Sequence, residues 1–294
     1  MELRVMEYFL AVAREQNISR AAESLHLTQP TLSRQLKALE DEIGKQLIVR
    51  GKRKVTLTEE GMFFRKRAEE IVSLAKRTEI EMRNSGQYIT GEIYIGTGES
   101  DSVRNIVRVV NFIREENSGI HFHFTSGDAS DLLDRLDNGL FDFCILFGDI
   151  DQSKYDYIAL PYEEKWGVLM RKDAELSDKK IVGTSDLHDK PLILSRHSMN
   201  LTGFFKWIGK SAEELDIVGT YNLVYTAALM ADEGAGYVIA LEKLVNTIGT
   251  NLCFKPLHPG NKLRLYVVWK KYQVQSKAAE KFIDALNGYL SCGK

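Results

Sequence analysis

Apolar positions recur with helical spacing through residues 1–58. Through residues 59–86 they follow a tighter, heptad-like repeat, and beyond residue 90 they gather into short runs separated by amphipathic stretches. The opening MELRVMEYFLAVAREQ has Glu2, Arg4 and Glu7 interrupting its apolar positions, which predicts an amphipathic helix and not a signal peptide. Ser19 reads as the N-cap of a second short helix that carries the small pair Ala21-Ala22 and closes on Leu25 and Leu27. Thr28 is the next cap candidate. Pro30 falls in the first turn of the helix that follows, where its missing N–H costs nothing. Leu32, Leu36, Leu39 and Ile43 form one apolar stripe on that helix, which Gly44 ends. Once the stripe is buried, Gln29, Thr31, Ser33, Arg34 and Lys37 face outward.

After residue 90 the pattern alternates. Gly91–Gly96, Ile120–Thr125 and Phe141–Phe147 read as strands; Ser102–Glu115 and Ser130–Asn138 lie between them as helices. Such alternation predicts a parallel sheet covered by helices. A second set follows Pro161. Its strands are Pro191–Leu194, Ile217–Tyr221, Tyr237–Leu241 and Arg264–Lys270; its helices are Leu223–Glu233 and Ser276–Leu290. The body therefore reads as two α/β lobes.

With 294 residues, 44% of them hydrophobic and 27% charged, the chain is of ordinary globular composition and long enough for two domains. No apolar run reaches the ~18–20 residues of a membrane span, so no membrane partner and a cytoplasmic location are expected. The formal charge of −2 conceals an asymmetry. Residues 1–67 hold 13 Lys and Arg against 9 Asp and Glu, whereas the remainder is acidic, which points the first part alone toward a polyanion. None of the three cysteines, Cys144, Cys253 and Cys292, has metal-like spacing. Cys144, inside FDFCILF, reads as a packed core residue. His121 and His123 alternate on a strand with no third ligand near in sequence, and they read as satisfied or exposed.

Two helices joined by a three- to four-residue turn form a helix-turn-helix, whose second helix enters the DNA major groove. The outward residues suit that use: Arg bonds guanine, Gln bonds adenine, and hydroxyls reach bases or phosphates. A plain helical hairpin with a solvated face is the alternative. The next segment, QLIVRGKRKVTLT, places Arg50, Lys52, Arg53 and Lys54 at the tip of a predicted hairpin, a wing able to grip phosphate.

The run SRAAESLHLTQPTLSRQLKALEDEIGKQLIVRGKRKVTLTEEG resembles the N-terminal signature of the LysR-type transcriptional regulators. The resemblance rests on Ala21-Ala22, Thr28-Gln29-Pro30, Leu32-Ser33, Leu39-Glu40 and Leu57-Thr58-Glu59-Glu60-Gly61. Ile48 departs from the usual Phe but keeps an apolar anchor. The likeness extends through the long helix and the two-lobed body. It implies a winged helix-turn-helix (residues 1–58), a linker and dimerisation helix (59–89) and a periplasmic-binding-protein-like α/β effector domain (90–294). The first lobe would span about 90–161 and 267–294, the second about 162–266. Candidate DNA-binding residues are Ser19, Arg20, Thr28, Gln29, Pro30, Thr31, Ser33, Arg34 and Lys37, with Arg50, Lys52, Arg53 and Lys54 on the wing.

Within the long helix Phe64, Ala68, Ile71, Ala75, Thr78 and Met82 are spaced 4-3-4-3-4, a heptad seam that predicts a two-chain coiled coil. About 25 residues of helix span roughly 38 Å, which is hard to bury in a small domain; a helix packed on its own body is the alternative. A homodimer or homotetramer on double-stranded DNA is therefore expected, its operator having dyad symmetry with half-sites about one ~10 bp turn, or multiples of it, apart. RNA polymerase is a further candidate partner.

In open α/β sheets ligands bind beyond the carboxyl ends of strands, near helix starts. The turns GTGESDS, SRHSMN and TYNLVYT occupy such places. With the turn after the second strand, they supply candidate effector-binding residues: Thr97, Gly98, Glu99, Ser100, Gly127, Asp128, Ser195, Arg196, His197, Asn222 and Tyr225. Glu99 and Asp101 would repel an anion unless Arg196 offsets them, so an amine or zwitterion is the expected ligand. No catalytic residue, metal or cofactor is expected. In GTGESD position 101 is Asp, which breaks the dinucleotide fingerprint, and neither a GxSxG turn nor HExxH occurs. A transporter's solute-binding protein would need a signal peptide and no helix-turn-helix. Peroxide sensing would need a second cysteine able to meet Cys144, and Cys253 is distant in sequence.

Overall fold

The stripe Leu32, Leu36 and Leu39 is buried in the computed structural model of the chain, which describes residues 1–51, 54–83, 89–148, 150–196, 202–260 and 262–291. Two units separate, Met1–Ser85 and Gly86–Lys294. In the first, α1 (Leu3–Glu15), α2 (Ile18–Ser24) and α3 (Gln29–Ile43) are followed by a hairpin of β1 (Ile48–Arg50) and β2 (Val55–Leu57), then by α4 (Glu59–Arg83). Phe9, Val12, Ala21, Ala22, Leu32 and Leu36 share one core, and the two alanines are at most 1% exposed, so α2 and α3 approach closely.

The caps differ at one place from the sequence reading. Asn17, not Ser19, caps α2: its Oδ1 accepts the N–H groups of Ser19 at 2.9 Å and Arg20 at 3.1 Å. Asn is as good a cap as Ser, and extended backbone at Asn17 settles the choice. Thr28 caps α3 and left-handed Gly44 ends it, as predicted. Thr58 Oγ1 accepts the Gly61 N–H at the start of α4 and donates to Gln46 O.

The heptad seam of α4 divides. Ala68 is buried with Val72 against Met6 of α1, and Phe64 packs beside them, edge-on to Phe9. Lys76 adds an ion pair to Glu7 at 2.9 Å. The same-chain helix therefore consumes the first part of the seam, with Val72 in place of Ile71. Ile71, Leu74 and Met82 remain exposed, the last at 76%.

The second unit holds one ten-stranded sheet. Its first part contains β3 (Gly91–Thr97), α5 (Val103–Glu116), β4 (Ile120–Ser126), α6 (Ala129–Asp137) and β5 (Phe143–Phe147). β3 pairs in parallel with both β4 and β5, the topology that the alternating pattern predicts. Its second part contains β7 (Val182–Gly183), β8 (Leu192–Ser195), α7 (Thr202–Ile208), β9 (Ile217–Tyr221), α8 (Val224–Asp232), β10 (Tyr237–Leu241) and β11 (Leu252–His258). Here β8 pairs in parallel with β9 and β10.

Two long strands cross between these parts: β6 (Tyr155–Arg171) and β12 (Lys262–Lys270), which pair antiparallel. β5 borders β12, and β10 borders β6. The closing helix α9 (Lys277–Ser291) packs Ala278, Ala279, Phe282 and Leu286 into the core formed by Ile93, Ile106, Val109 and Ile113. The second lobe has its own cores around Val168, Leu192, Phe204 and Ile239, and around Leu169, Ala227 and Val238.

The sequence reading placed a break at Pro161, but β6 runs through it. Between Arg264↔Glu163 and Tyr266↔Ala159 the register shifts, so the strand bulges where proline has no N–H to donate. Among the described residues no helix is long and apolar enough to cross a membrane.

Candidate functional site

On the first unit the buried stripe of α3 leaves the opposite face to solvent. Gln29, Pro30, Arg34 and Lys37 are exposed there, Thr31 and Ser33 half-buried. Thr28, Ser19 and Arg20 are exposed at the starts of α3 and α2. The hydroxyls of Thr28 and Thr31 bond each other at 2.8 Å, which fixes both at the helix start. Arg50, at the end of β1, donates from Nη1 to Ser33 Oγ at 2.6 Å and ties the wing to α3. Glu40 reinforces the link by accepting the N–H groups of Leu47 at 2.7 Å and Ile48 at 3.0 Å. Lys54 is exposed beyond β1, where Gly51 N–H donates to its carbonyl. Lys52 and Arg53 lie outside the described residues. Such a face offers bidentate, amide and hydroxyl groups on one helix with cations beside it, the combination that reads base edges while holding phosphates.

In the second unit a cavity of about 70 Å3 opens between the two lobes. Of the predicted residues Gly98, Glu99, Gly127, Asp128, Ser195 and Asn222 line it. Thr97 does not: it is 5% exposed and its hydroxyl donates to Gly98 O at 2.7 Å. Ser100 is turned toward buried Glu164, whose carboxylate also accepts the Ser102 N–H at 3.2 Å. Arg196 lies outside the lining but pairs with Asp128 at 3.2 Å, and Tyr225 is 73% exposed. His197 falls outside the described residues.

Most of the wall is apolar, and sequence reasoning did not assign it: Ile145, Leu146, Phe147, Trp166, Tyr221, Leu241, Leu244 and Leu263. The FCILF run was legible as a buried strand; nothing in it marks which end meets a cavity. Glu99 reaches from the first lobe to the second, where its Oε2 accepts the Val224 N–H at the start of α8 at 2.5 Å. Among the described residues the buried indole N–H of Trp166 has no hydrogen-bond partner.

The remaining reactive groups are subdued. Burial pushes the Cys144 thiol up to about 12, against a smaller lowering by the Gly96 backbone. Burial raises Cys253 as well. Cys292 lies outside the described residues. His121 and His123 both bond the carboxylate of Glu92, at 3.2 Å and 2.5 Å, and His123 stacks on Tyr94. Among the described residues no group of three or more His, Cys, Asp or Glu is placed to hold a metal.

Comparison with known proteins joins the two sites. Residues 3–62 match the bacterial regulatory helix-turn-helix protein family of lysR type, and residues 86–291 match the LysR substrate binding domain. The chain belongs to the LysR family. As a LysR-type transcriptional regulator it resembles the HTH-type transcriptional regulator BsdA of Bacillus subtilis, 36% identical over 146 residues, 49% of this chain and 50% of BsdA. The Hca operon transcriptional activator HcaR of Escherichia coli is 27% identical over 280 residues, 94% of each chain. The dual regulator OxyR of Escherichia coli is 27% identical over 195 residues, 66% of this chain and 63% of OxyR. The crystal structure of CbnR, a LysR family transcriptional regulator, superposes with a TM-score of 0.77 at 19% identity, covering 98% of this chain and 99% of CbnR. That likeness shows the shared fold.

Proposed function

We propose that this LysR-type regulator recognises an operator through α3 and the wing, and that a small molecule held in the inter-lobe cavity controls it. The observation that carries the reading is the exposed face of α3, with Gln29, Arg34 and Lys37 free to solvent and Arg50 bracing Ser33 beside them. Gln29, Thr31, Ser33 and Arg34 supply base choice. Ser19, Arg20, Thr28, Lys37, Arg50 and Lys54 position the duplex through phosphates, and Pro30 sets the helix start. The exposed apolar groups of α4 serve self-association, so a dimer, or a tetramer built of two dimers, presents several recognition helices to an operator with dyad symmetry. The protein acts in the cytoplasm and has no enzymatic activity in this reading. Gly98, Glu99, Gly127, Asp128, Ser195 and Asn222 are the effector contacts.

The test is selection of bound duplexes from a random library by the full chain, followed by titration at several salt concentrations. Symmetric sites are expected to emerge. Arg34→Ala is expected to cost ~1–3 kcal/mol and relax choice at one base pair; Lys54→Ala is expected to weaken all duplexes alike and reduce the salt slope by about one. Recovery of no preferred duplex, or binding indifferent to salt, refutes the reading. Peroxide sensing, suggested by the OxyR likeness, finds no support in Cys144 and Cys253, whose thiols are held protonated by burial.

A further inference from the structure

Among the described residues, two helices that begin at the cavity are not capped by their own side chains. The N-cap of α8 is Leu223, which has no side-chain acceptor, and the first turn holds no acid. The N–H of its first residue, Val224, is taken instead by Glu99 Oε2 at 2.5 Å, from 125 residues away in the other lobe. A carboxylate at a helix start is favoured by the helix dipole and by the charge-assisted bond. At α6 the situation is reversed. Asp128 is a good N-cap residue by type, yet its side chain makes no cap bond. It reaches across the cleft to Arg196, which follows β8 in the second lobe, at 3.2 Å. Both lobe-spanning contacts therefore start from an acid of the first lobe on the cavity wall. Arg196 offsets Asp128 and not Glu99.

The loop that carries Glu99 is pinned to its own lobe. Before it, the Thr97 hydroxyl donates to Gly98 O; after it, buried Glu164 accepts the Ser100 hydroxyl and the Ser102 N–H. Glu164 lies on β6, beside the register shift between β6 and β12, the two strands that join the lobes. A two-strand joint with a bulge is where the lobes can turn. Glu99 cannot follow α8 through such a turn, so the bond to Val224 breaks. The cavity makes the turn necessary. About 70 Å3 is roughly half the ~150 Å3 of an apolar cavity that accepts benzene, so an effector of ring size or more requires the lobes to part.

We infer that Glu99 and Asp128 form a two-point latch that closes the lobes over the cavity through contacts of the chain itself, and that release of this latch is the step by which the effector changes operator binding. The second half rests on the effector reading above; the latch does not.

Hydrogen–deuterium exchange of the full chain, read by mass spectrometry at the Val224 amide, tests the latch. Glu99→Ala removes the acceptor and is expected to speed exchange there at least tenfold. Arg196→Ala removes only the Asp128 contact, so it speeds exchange at Val224 only if the two points open together; at least threefold is expected. Arg196→Lys, which keeps the charge, is expected to restore protection, and the amides of β10 are expected to be unchanged throughout. A rise in Glu99→Ala but not in Arg196→Ala makes Glu99 a local cap and overturns the latch. So does an unchanged Val224 amide in Glu99→Ala, or a rise shared with β10, which marks unfolding of the lobe. Titration of a selected operator tests the regulatory half. Both alanine variants are expected to shift affinity at least threefold in the same direction, with the salt slope unchanged. Unshifted affinity alongside faster exchange overturns the regulatory step. Absence of any preferred duplex overturns the operator reading itself and leaves the exchange result standing.

Discussion

Cys144 shows how much one position depends on its surroundings. Its thiol is wholly buried on β5, with Sγ donating to Leu132 O at 3.4 Å, and burial holds it near 12, far above neutral pH. The thiolate is the reactive species, so the folded protein at pH 8 is expected to leave Cys144 unalkylated by iodoacetamide while urea exposes it. Peptide mass spectrometry reads the outcome directly; modification of Cys144 in the folded chain would show that the core around it, with Leu132, Leu136 and Phe141, opens to solvent. At this scale the sequence shows which side chains of a helix face outward, whatever their role. Gln29, Arg34 and Lys37 were legible because a buried stripe dictates what faces outward. Trp166 and Leu263 were not, because an apolar residue beside a cavity has the same pattern as one in a core. Ser100 and Thr97 misled for the opposite reason. Hydroxyls at a strand–helix turn suit a ligand, but here they bond Glu164 and the backbone.

Among elements, the join between the wing and α4 leaves least room for change. A Cβ built on Gly61 would stand 1.9 Å from the carbonyl oxygen of Leu47. Gly61→Ala therefore forces α4 away from the residue preceding β1 and is expected to destabilise the first unit by about 1–3 kcal/mol or more. Gly288 lies within α9 with nothing within 4 Å of such a carbon. Gly288→Ala is expected to stabilise by ~0.5–1 kcal/mol through helix propensity alone. Urea denaturation of both variants tests the contrast, and equal effects would refute it. The elements legible in sequence were those with a single period. α3 and β3 fall within a residue or two of their expected limits. β6 was missed because its pattern changes midway, from alternating exposure before Leu160 to continuous burial from Trp166 to Met170, with Pro161 between. β11 was missed because LCFKPLH carries Pro256, which pairs opposite Gly167. Gly167 admits the close packing: a Cβ there would stand 2.1 Å from the Phe254 ring.

For the whole molecule, α4 carries two kinds of apolar group. Ala68 and Val72 are committed to α1 of the same chain, and Leu74 is 41% exposed. Leu74→Glu is expected to leave the fold of the first unit intact and weaken self-association at least tenfold, as sedimentation velocity over a concentration series would show. An unchanged profile would place the subunit contact elsewhere. The order in which the chain is made adds a consequence of the two crossing strands. β12 lies between β5 and β6, and α9 fills the core beneath β3, so the lobe that begins at residue 91 is closed only by residues 262–291. On a ribosome the DNA-reading unit emerges first, and the first lobe of the second unit waits with a gap in its sheet for the roughly 115 residues between the end of β5 at Phe147 and the start of β12 at Lys262. A message cut short after β11 would yield a reader of operators whose sensor could never assemble.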